Sequence, residues 1–137
     1  MTNDQPGPEL DRRVAVAMGW TELRWHERER LGPTWRHRMA AYIGNPPCGS
    51  SPAPLIRWVP AYSTDPARIP EMEAHILTTA DAFWIESISH RPCLSTRVAH
   101  AQRNKPFLQW YANGLTTQHA LALLIDAIAE QQGETDA

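Results

Sequence analysis

The chain has 137 residues, of which 42% are apolar and 20% are charged, a composition that fits one packed domain over residues 1–137 and excludes a disordered chain. The net charge of −2 gives no overall positive field that would attract duplex DNA or an anionic membrane. It does not exclude a local pocket lined by arginines. No run approaches the roughly 20 apolar residues of a membrane-spanning helix and no export signal is recognisable, so we expect a cytoplasmic protein whose two cysteines are free thiols.

The first part of the chain predicts a helix, a hairpin and a loop. Residues 1–8 are polar with two prolines and indicate a frayed end. A stripe at helical spacing then predicts a helix from about Glu9 that ends at Gly19. From Trp20 to Val59 short segments can alternate sides, which favours a hairpin or meander. Within this stretch, residues 44–54 hold four prolines and two glycines, so we expect a long loop before a short strand over 55–59.

The second part predicts a helix, three strands and a helix. Ser63, Thr64 or Asp65 can cap a helix, but Pro70 would disturb one that began at Pro66, so the regular helix should begin near Pro70 and run to 78 or 79. Segments 83–89, 95–102 and 107–112 form an antiparallel meander with turns at 91–92 and 104–106. Thr116 or Thr117 caps a last helix that should cover the meander with Leu121, Leu124, Ile125 and Ile128, before a frayed end over 132–137.

Catalytic and metal motifs are weak throughout the sequence. It contains no glycine-rich phosphate loop, no Gly-x-Ser-x-Gly elbow and no His-Glu-x-x-His pair, so we expect neither an enzyme nor a cofactor. Cys93 or Cys48 with a histidine could build a small hydrolase on paper. His90 and Cys93 could form half of a zinc site with Cys48 and His100, but a strand end with a solvent histidine explains the spacing equally well, so we predict no metal.

Arginines and aromatic residues recur in the same predicted strands. Arg57 precedes Trp58, and Arg97 and Arg103 share one strand face with two alanines. Because two unpaired guanidinium groups are costly to bury, that face should be either solvent surface or the floor of an anion pocket. Guanidinium forks hold phosphate, which gives the second alternative its chemistry.

Six tryptophans are numerous for this length, and core filling is expected for at least four of them. One or two could stack on a base, and Trp110 is a candidate. The turn Tyr62, Ser63, Thr64 needs one side chain for capping, so the remaining hydroxyls could line a cleft at the positive end of the helix.

Three short motifs in order support a family resemblance. Glu9-Leu-Asp11 runs to Met18-Gly-Trp20, Pro60-Ala-Tyr-Ser-Thr-Asp65 opens a helix, and an alanine-rich helix follows the last strand. The combination resembles the phage ABA sandwich family of small phage and prophage proteins over most of the chain. The resemblance implies an α+β fold in which an antiparallel sheet is layered with helices as an α-β-α sandwich. It implies no catalytic residues.

These features favour a phage-type binding protein that captures a small nucleotide ligand, with a cyclic defence signal as one candidate. Several small phage proteins sequester such signals, and that analogy suggests an anti-defence role and a homo-oligomer without duplex nucleic acid. The alternative is a non-enzymatic structural or protein–protein interaction module, with the Trp-rich sheet and the Pro-rich loop as its docking surface. The predicted ligand-binding residues are Arg57, Trp58, Tyr62, Ser63, Thr64, Arg97, Arg103 and Trp110.

Overall fold

A computed structural model describes residues 4–47, 56–90 and 94–136. Within these ranges the chain forms three α-helices and two antiparallel three-stranded sheets. The elements in chain order are α1 (Pro8–Ala17), β1 (Thr21–Leu31), β2 (Arg36–Asn45), β3 (Arg57–Trp58), α2 (Ile69–Ile76), β4 (Ala82–His90), β5 (Leu94–Asn104), β6 (Phe107–Gly114) and α3 (Thr117–Asp136). The α+β class with antiparallel sheets and packed helices confirms the prediction, whereas the division into two sheets was not predicted.

Helix α1 follows the apolar stripe that predicted it. Pro8 occupies the first turn, where its missing amide hydrogen costs nothing. Leu10 and Val14 are fully buried. Gly19 follows the helix with a φ of 102°, a left-handed conformation that favours glycine, so the predicted stop is confirmed.

Strands β1 and β2 form the predicted hairpin, and β3 adds a short third strand to β2. From Arg24 to its end at Leu31, β1 is exposed on both faces. The hairpin therefore presents two opposite surfaces to solvent. Most of the predicted loop over 44–54, including Cys48, lies outside the described residues, while residues 44 and 45 end β2.

The second helix begins in two steps, as its prolines predict. Asp65 caps a short 3-10 helix, Pro66–Arg68, by accepting a hydrogen bond from the Ala67 amide at 3.0 Å. Helix α2 then starts at Ile69 with Pro70 in its first turn. It ends at Ile76, two or three residues before the predicted end at 78 or 79, and a turn follows over 77–79.

The predicted meander is the second sheet, in the order β4-β5-β6, and α3 covers one face of it. The stripe Leu121, Leu124, Ile125 and Ile128 is buried, which confirms the predicted packing. Helices α1 and α2 both contact α3. Helix α3 also continues through 132–136, where the sequence predicted a frayed end, and Thr116 accepts a hydrogen bond from the His119 amide as its cap. The turn at 91–92 and Cys93 lie outside the described residues.

Candidate functional site

The hairpin sheet separates its side chains into two chemically different faces. Directly opposed residues of neighbouring strands share a face, and successive residues alternate between faces. Arg28 pairs with Met39, and Ile43 pairs with both Arg24 and Trp58, which places all of these on one side. We call this side the basic face; it comprises Arg24, His26, Arg28, Arg30, Met39 and Trp58.

The opposite side, which we call the paired face, carries charges that neutralise one another. Arg38 donates a hydrogen bond to Glu27 at 2.8 Å, and Arg36 forms an ion pair with Glu29. Trp25 also donates to Glu27, at 3.2 Å. A cavity of about 670 Å³ on this side is lined by both ion pairs together with Arg28. Because Arg36 and Arg38 each already have a carboxylate partner, this pair of arginines offers little attraction to an anion.

The arginines of the basic face have no such partners. Among the described residues, no carboxylate forms an ion pair with Arg24, Arg28 or Arg30. Their guanidinium groups are exposed and solvated, so they are available to a ligand without breaking an existing bond. The basic face is therefore a local positive patch on a chain whose net charge is −2.

Trp58 gives the basic face a flat aromatic surface. Its side chain is 36% exposed, and its ring lies 5.6 Å from the ring of His26, centroid to centroid, so the two meet over the middle strand β2. A groove of about 410 Å³ is lined by Trp58, Met39, Arg28 and Arg30. This volume lies in the range of small-ligand sites. The guanidinium groups of Arg28 and Arg30 can bind a phosphate, and the indole of Trp58 can stack on a base.

Arg57 and Trp58 do not act on the same side of the sheet. Arg57 pairs with Gly44, whereas Trp58 pairs with Ile43, so adjacent residues of β3 present their side chains to opposite faces. Trp58 thus joins the basic face and Arg57 does not. Both were predicted as ligand contacts, and strand alternation prevents these two neighbours from lining the same side of the sheet.

The strand face of Arg97 and Arg103 is neither open surface nor a pocket floor along its middle. Ala99 and Ala101, between the two arginines, are fully buried in the core. The small alanine side chains let α3 approach β5, and the arginines extend from the two ends of the face. Six residues separate them, about 20 Å along a strand, so they cannot grip one small phosphate together.

Arg103 and Trp110 are the two predicted residues that the structure does bring together. The Arg103 guanidinium lies 5.9 Å from the centre of the Trp110 ring, in cation–π range. Trp110 is 6% exposed and belongs to the core, so it cannot offer an open stacking face. Trp110 as a ligand contact stays a prediction, which its position under α3 does not favour.

Tyr62 and Ser63 hold the fold together and do not line an open cleft. Each is only 1% exposed. The Trp20 indole donates to the Tyr62 hydroxyl at 3.1 Å, and burial raises the pKa of Tyr62 to about 12. The Ser63 amide and hydroxyl donate to one carboxylate oxygen of Asp11 at 2.8 and 2.6 Å. Both were predicted as ligand contacts; the structure gives them a place in the core and in hydrogen bonds within the chain, which does not favour that role.

Thr64 is exposed, but it lies against the helical layer. Its carbonyl accepts a hydrogen bond from the Gln118 side chain of α3 at 3.2 Å. The cap function in this turn belongs to Asp65, as described above. Thr64 also lines a small cavity with Ala41 and Tyr42 of the hairpin sheet, but it does not line the groove of the basic face and does not complete a site there.

A second cavity, of about 620 Å³, lies between α3, β6 and the N-terminal residues. Its charged lining is acidic, from Asp4, Asp126 and Glu130. Arg13 donates to Asp126 at 2.6 Å, yet burial raises the pKa of Asp126. Both ring nitrogens of His119 are already engaged, one with the Leu115 amide and one with the Asp4 carbonyl. This cavity is unsuited to a phosphate because its carboxylates would repel it.

The basic face was missed because the sequence prediction chose arginines by their neighbours in the chain. The signal was present in the segment from Arg24 to Arg30, where basic residues recur at every second position and acids or tryptophan fill the positions between them. A period of two separates these residues onto opposite faces of a strand. Met39 became part of the site only through the hairpin register.

Within the part of the chain that the structure describes, no three His, Cys, Asp or Glu residues are placed to hold a metal ion. Cys48 and Cys93 of the zinc and hydrolase alternatives lie outside the described residues. His100 stacks on Trp84, with ring centroids 5.0 Å apart. None of the described helices is long and apolar enough to cross a membrane.

Comparisons of this chain with protein-family models, curated proteins and solved structures each find no match. The structure itself defines an α+β chain with a basic, aromatic hairpin face. The phage ABA sandwich resemblance stays a prediction.

Proposed function

We propose that this protein is a non-enzymatic binding protein that captures a phosphate-bearing ligand on its basic face. One observation carries the proposal: Arg28 and Arg30 have no carboxylate partner among the described residues and line one groove with Trp58. The guanidinium groups bind the phosphate through charge-assisted hydrogen bonds. The indole stacks on a planar ring of the same ligand.

A nucleotide is the ligand that matches both halves of the groove. Its phosphate and its flat base are close enough together for one small groove to contact both. The groove volume of about 410 Å³ suits one or two nucleotide units better than a long chain. A cyclic nucleotide of a bacterial defence system is our leading candidate, and sequestration of it would fit the predicted phage origin.

The absence of a catalytic role is part of this proposal. Among the described hydroxyl groups, Ser63 is buried and bonded to Asp11, so it is not presented to a ligand. The arginines of the basic face bind anions but do not exchange protons near neutral pH. The groove itself is lined by Arg28, Arg30, Met39 and Trp58, none of which is a nucleophile or a general base, and this supports capture without turnover.

Ligand capture can be tested with the purified protein. Heat denaturation should release a nucleotide that mass spectrometry identifies, because a sequestering protein retains its ligand through purification. Calorimetry against mononucleotides, cyclic dinucleotides and cyclic trinucleotides should then find one that binds more tightly than about 10 μM. If nothing is released and nothing in the panel binds at that level, the proposal is contradicted.

A protein–protein interaction module is the second candidate, and a separate observation favours it. Trp25, Leu31 and Trp35 are exposed along and beyond the outer part of the hairpin. Exposed aromatic residues are typical anchors of protein interfaces. Trp35→Ala should weaken capture of a partner protein but leave nucleotide binding unchanged, since Trp35 does not line the groove.

A further inference from the structure

The second sheet has one face that no described helix covers. Helix α3 packs on the side of Ala99, Ala101 and Trp110, so the alternate residues of each strand point away from it. We call this side the open face; its central residues are Trp84, Glu86, Ile88, Val98, His100 and Tyr111. Tyr111 is 70% exposed and Trp84 is 40% exposed.

The charge of the open face suits contact with an identical surface. Glu86 is the only Asp, Glu, Lys or Arg among its described strand residues, and its carboxylate lies 3.6 Å from the His100 ring. The remaining polar groups are amides and a hydroxyl, such as those of Gln102, Gln109 and Thr96. Two copies can therefore meet without an array of like charges, whereas a nucleotide or polyanion would find no cation here.

The strand register makes the open face complementary to itself about one axis. Trp84 and Tyr111 both flank His100, and Glu86 and Asn113 both flank Val98. A two-fold axis parallel to β5 places β4 of one copy over β6 of the other. Trp84 then meets Tyr111 of the second copy, and Glu86 meets the amide of Asn113. Val98 and His100, on the central strand, face their own counterparts, but Val98 is only 6% exposed and the His100 ring lies against Trp84, so residues of the outer strands supply most of the contact.

The size of the open face is sufficient for a modest dimer. Three strands of about nine residues cover roughly 15 Å by 30 Å. Burial of this patch on both copies removes roughly 900 Å² from water, which is the size of a weak interface.

We propose that the open face is the interface of a homodimer, in which Trp84 packs against Tyr111 of the second copy across a two-fold axis along β5. The proposal is independent of ligand binding because the basic face belongs to the other sheet. Both basic faces stay free in such a dimer.

Sedimentation equilibrium of the full chain tests this assignment. The wild type should show a dimer with a dissociation constant in the micromolar range, as expected for an interface of this size. Tyr111→Glu should weaken the dimer at least tenfold because it places a carboxylate against the Trp84 ring on a face that already carries Glu86 and, among its described strand residues, offers no Lys or Arg to pair with it. Trp35→Glu is the matched control, since Trp35 is an exposed aromatic residue of the hairpin, and it should leave the dimer unchanged. A monomer up to about 200 μM, or a dimer that Tyr111→Glu leaves intact, contradicts the proposal.

Cross-linking tests the position of the axis. In a chain with Cys48 and Cys93 replaced by serine, His100→Cys should be linked to its own counterpart by a bismaleimide that spans about 10 Å, the spacing of facing sheets. Thr78→Cys, exposed after α2 on the helical side, should give no linked dimer. Equal cross-linking of the two variants, or none of His100→Cys, contradicts the proposed axis.

Discussion

At the scale of single residues, Asp11 is the side chain that ties the N-terminal helix to the turn before α2. It is buried and accepts two hydrogen bonds from Ser63, while Trp20 donates to the neighbouring Tyr62. Ser63 also accepts a hydrogen bond from the Gly7 amide at 2.9 Å. The residues that support the family resemblance therefore contact one another, which gives those motifs a structural role that requires no ligand.

Removal of the Asp11 carboxylate should destabilise the protein. Asp11→Ala leaves the Ser63 amide and hydroxyl without an acceptor, and we expect a loss of about 1–3 kcal/mol in the free energy of unfolding. Asp11→Asn retains a carbonyl acceptor and should lose less. Urea denaturation of both variants measures the difference, and equal losses would show that these hydrogen bonds contribute little.

The Asp11 contribution should also depend on pH. Burial raises the pKa of Asp11 above its ordinary 3.8, and the Ser63 hydrogen bonds oppose this only in part. A raised pKa in the folded state gives stability that is present below 3.8 and lost as pH rises through the folded value. The free energy of unfolding of Asp11→Asn, taken relative to that of wild type at the same pH, should therefore increase as pH rises from about 3.5 to 7. A relative loss over this range would mean that the hydrogen bonds outweigh burial.

At the scale of elements, the close approach of β6 to α3 depends on Gly114. A Cβ atom there would overlap the backbone of Ala120, so Gly114→Ala should destabilise the protein. Gly133, near the end of α3, is exposed and has open space around it. Gly133→Ala should stabilise the helix by up to about 0.5–1 kcal/mol. Thermal unfolding of the two variants should move in opposite directions, and a rise for Gly114→Ala would refute the close packing.

The apolar stripe of α3 is the main anchor of the second sheet. Leu124 is fully buried, so Leu124→Ala should cost roughly 2–5 kcal/mol. Leu77, after α2, is exposed, and Leu77→Ala provides a matched control with a change within about 0.5 kcal/mol. Similar stability of the two variants would show that the stripe is not a core surface.

The sequence predicted these elements better than their pairing. Helical stripes, proline positions and cap residues are local signals, so α1, the start of α2 and the face of α3 could be predicted. The division of the strands into two sheets depends on contacts between distant residues, which periodicity does not encode. The burial of Ala99 and Ala101 was missed because the flanking arginines suggested a solvated face. On one face of β5 the residues in the middle of the strand are buried, although arginines lie on both sides of them.

At the scale of the whole molecule, the proposed ligand-binding surface and the proposed dimer interface lie on different sheets. The hairpin sheet carries the basic face, and the second sheet carries the core on one side and the nearly uncharged open face on the other. Of the predicted site residues only Trp58 belongs to the basic face, since Arg57 points to the opposite side and Tyr62 and Ser63 are buried. The chain sequence places residues in strands, but only the register decides which of them share a surface.

The most direct test of ligand capture on the basic face compares two double variants by calorimetry with the tightest-binding nucleotide of the panel. Arg28→Ala with Arg30→Ala removes the groove cations, and each lost charge-assisted hydrogen bond is worth about 1.5–3 kcal/mol. Arg36→Ala with Arg38→Ala removes the same charge from the paired face. We predict that the first double variant weakens binding at least about tenfold, whereas the second stays within about twofold of wild type. Equal weakening by both variants, or full binding by the first, would contradict the account.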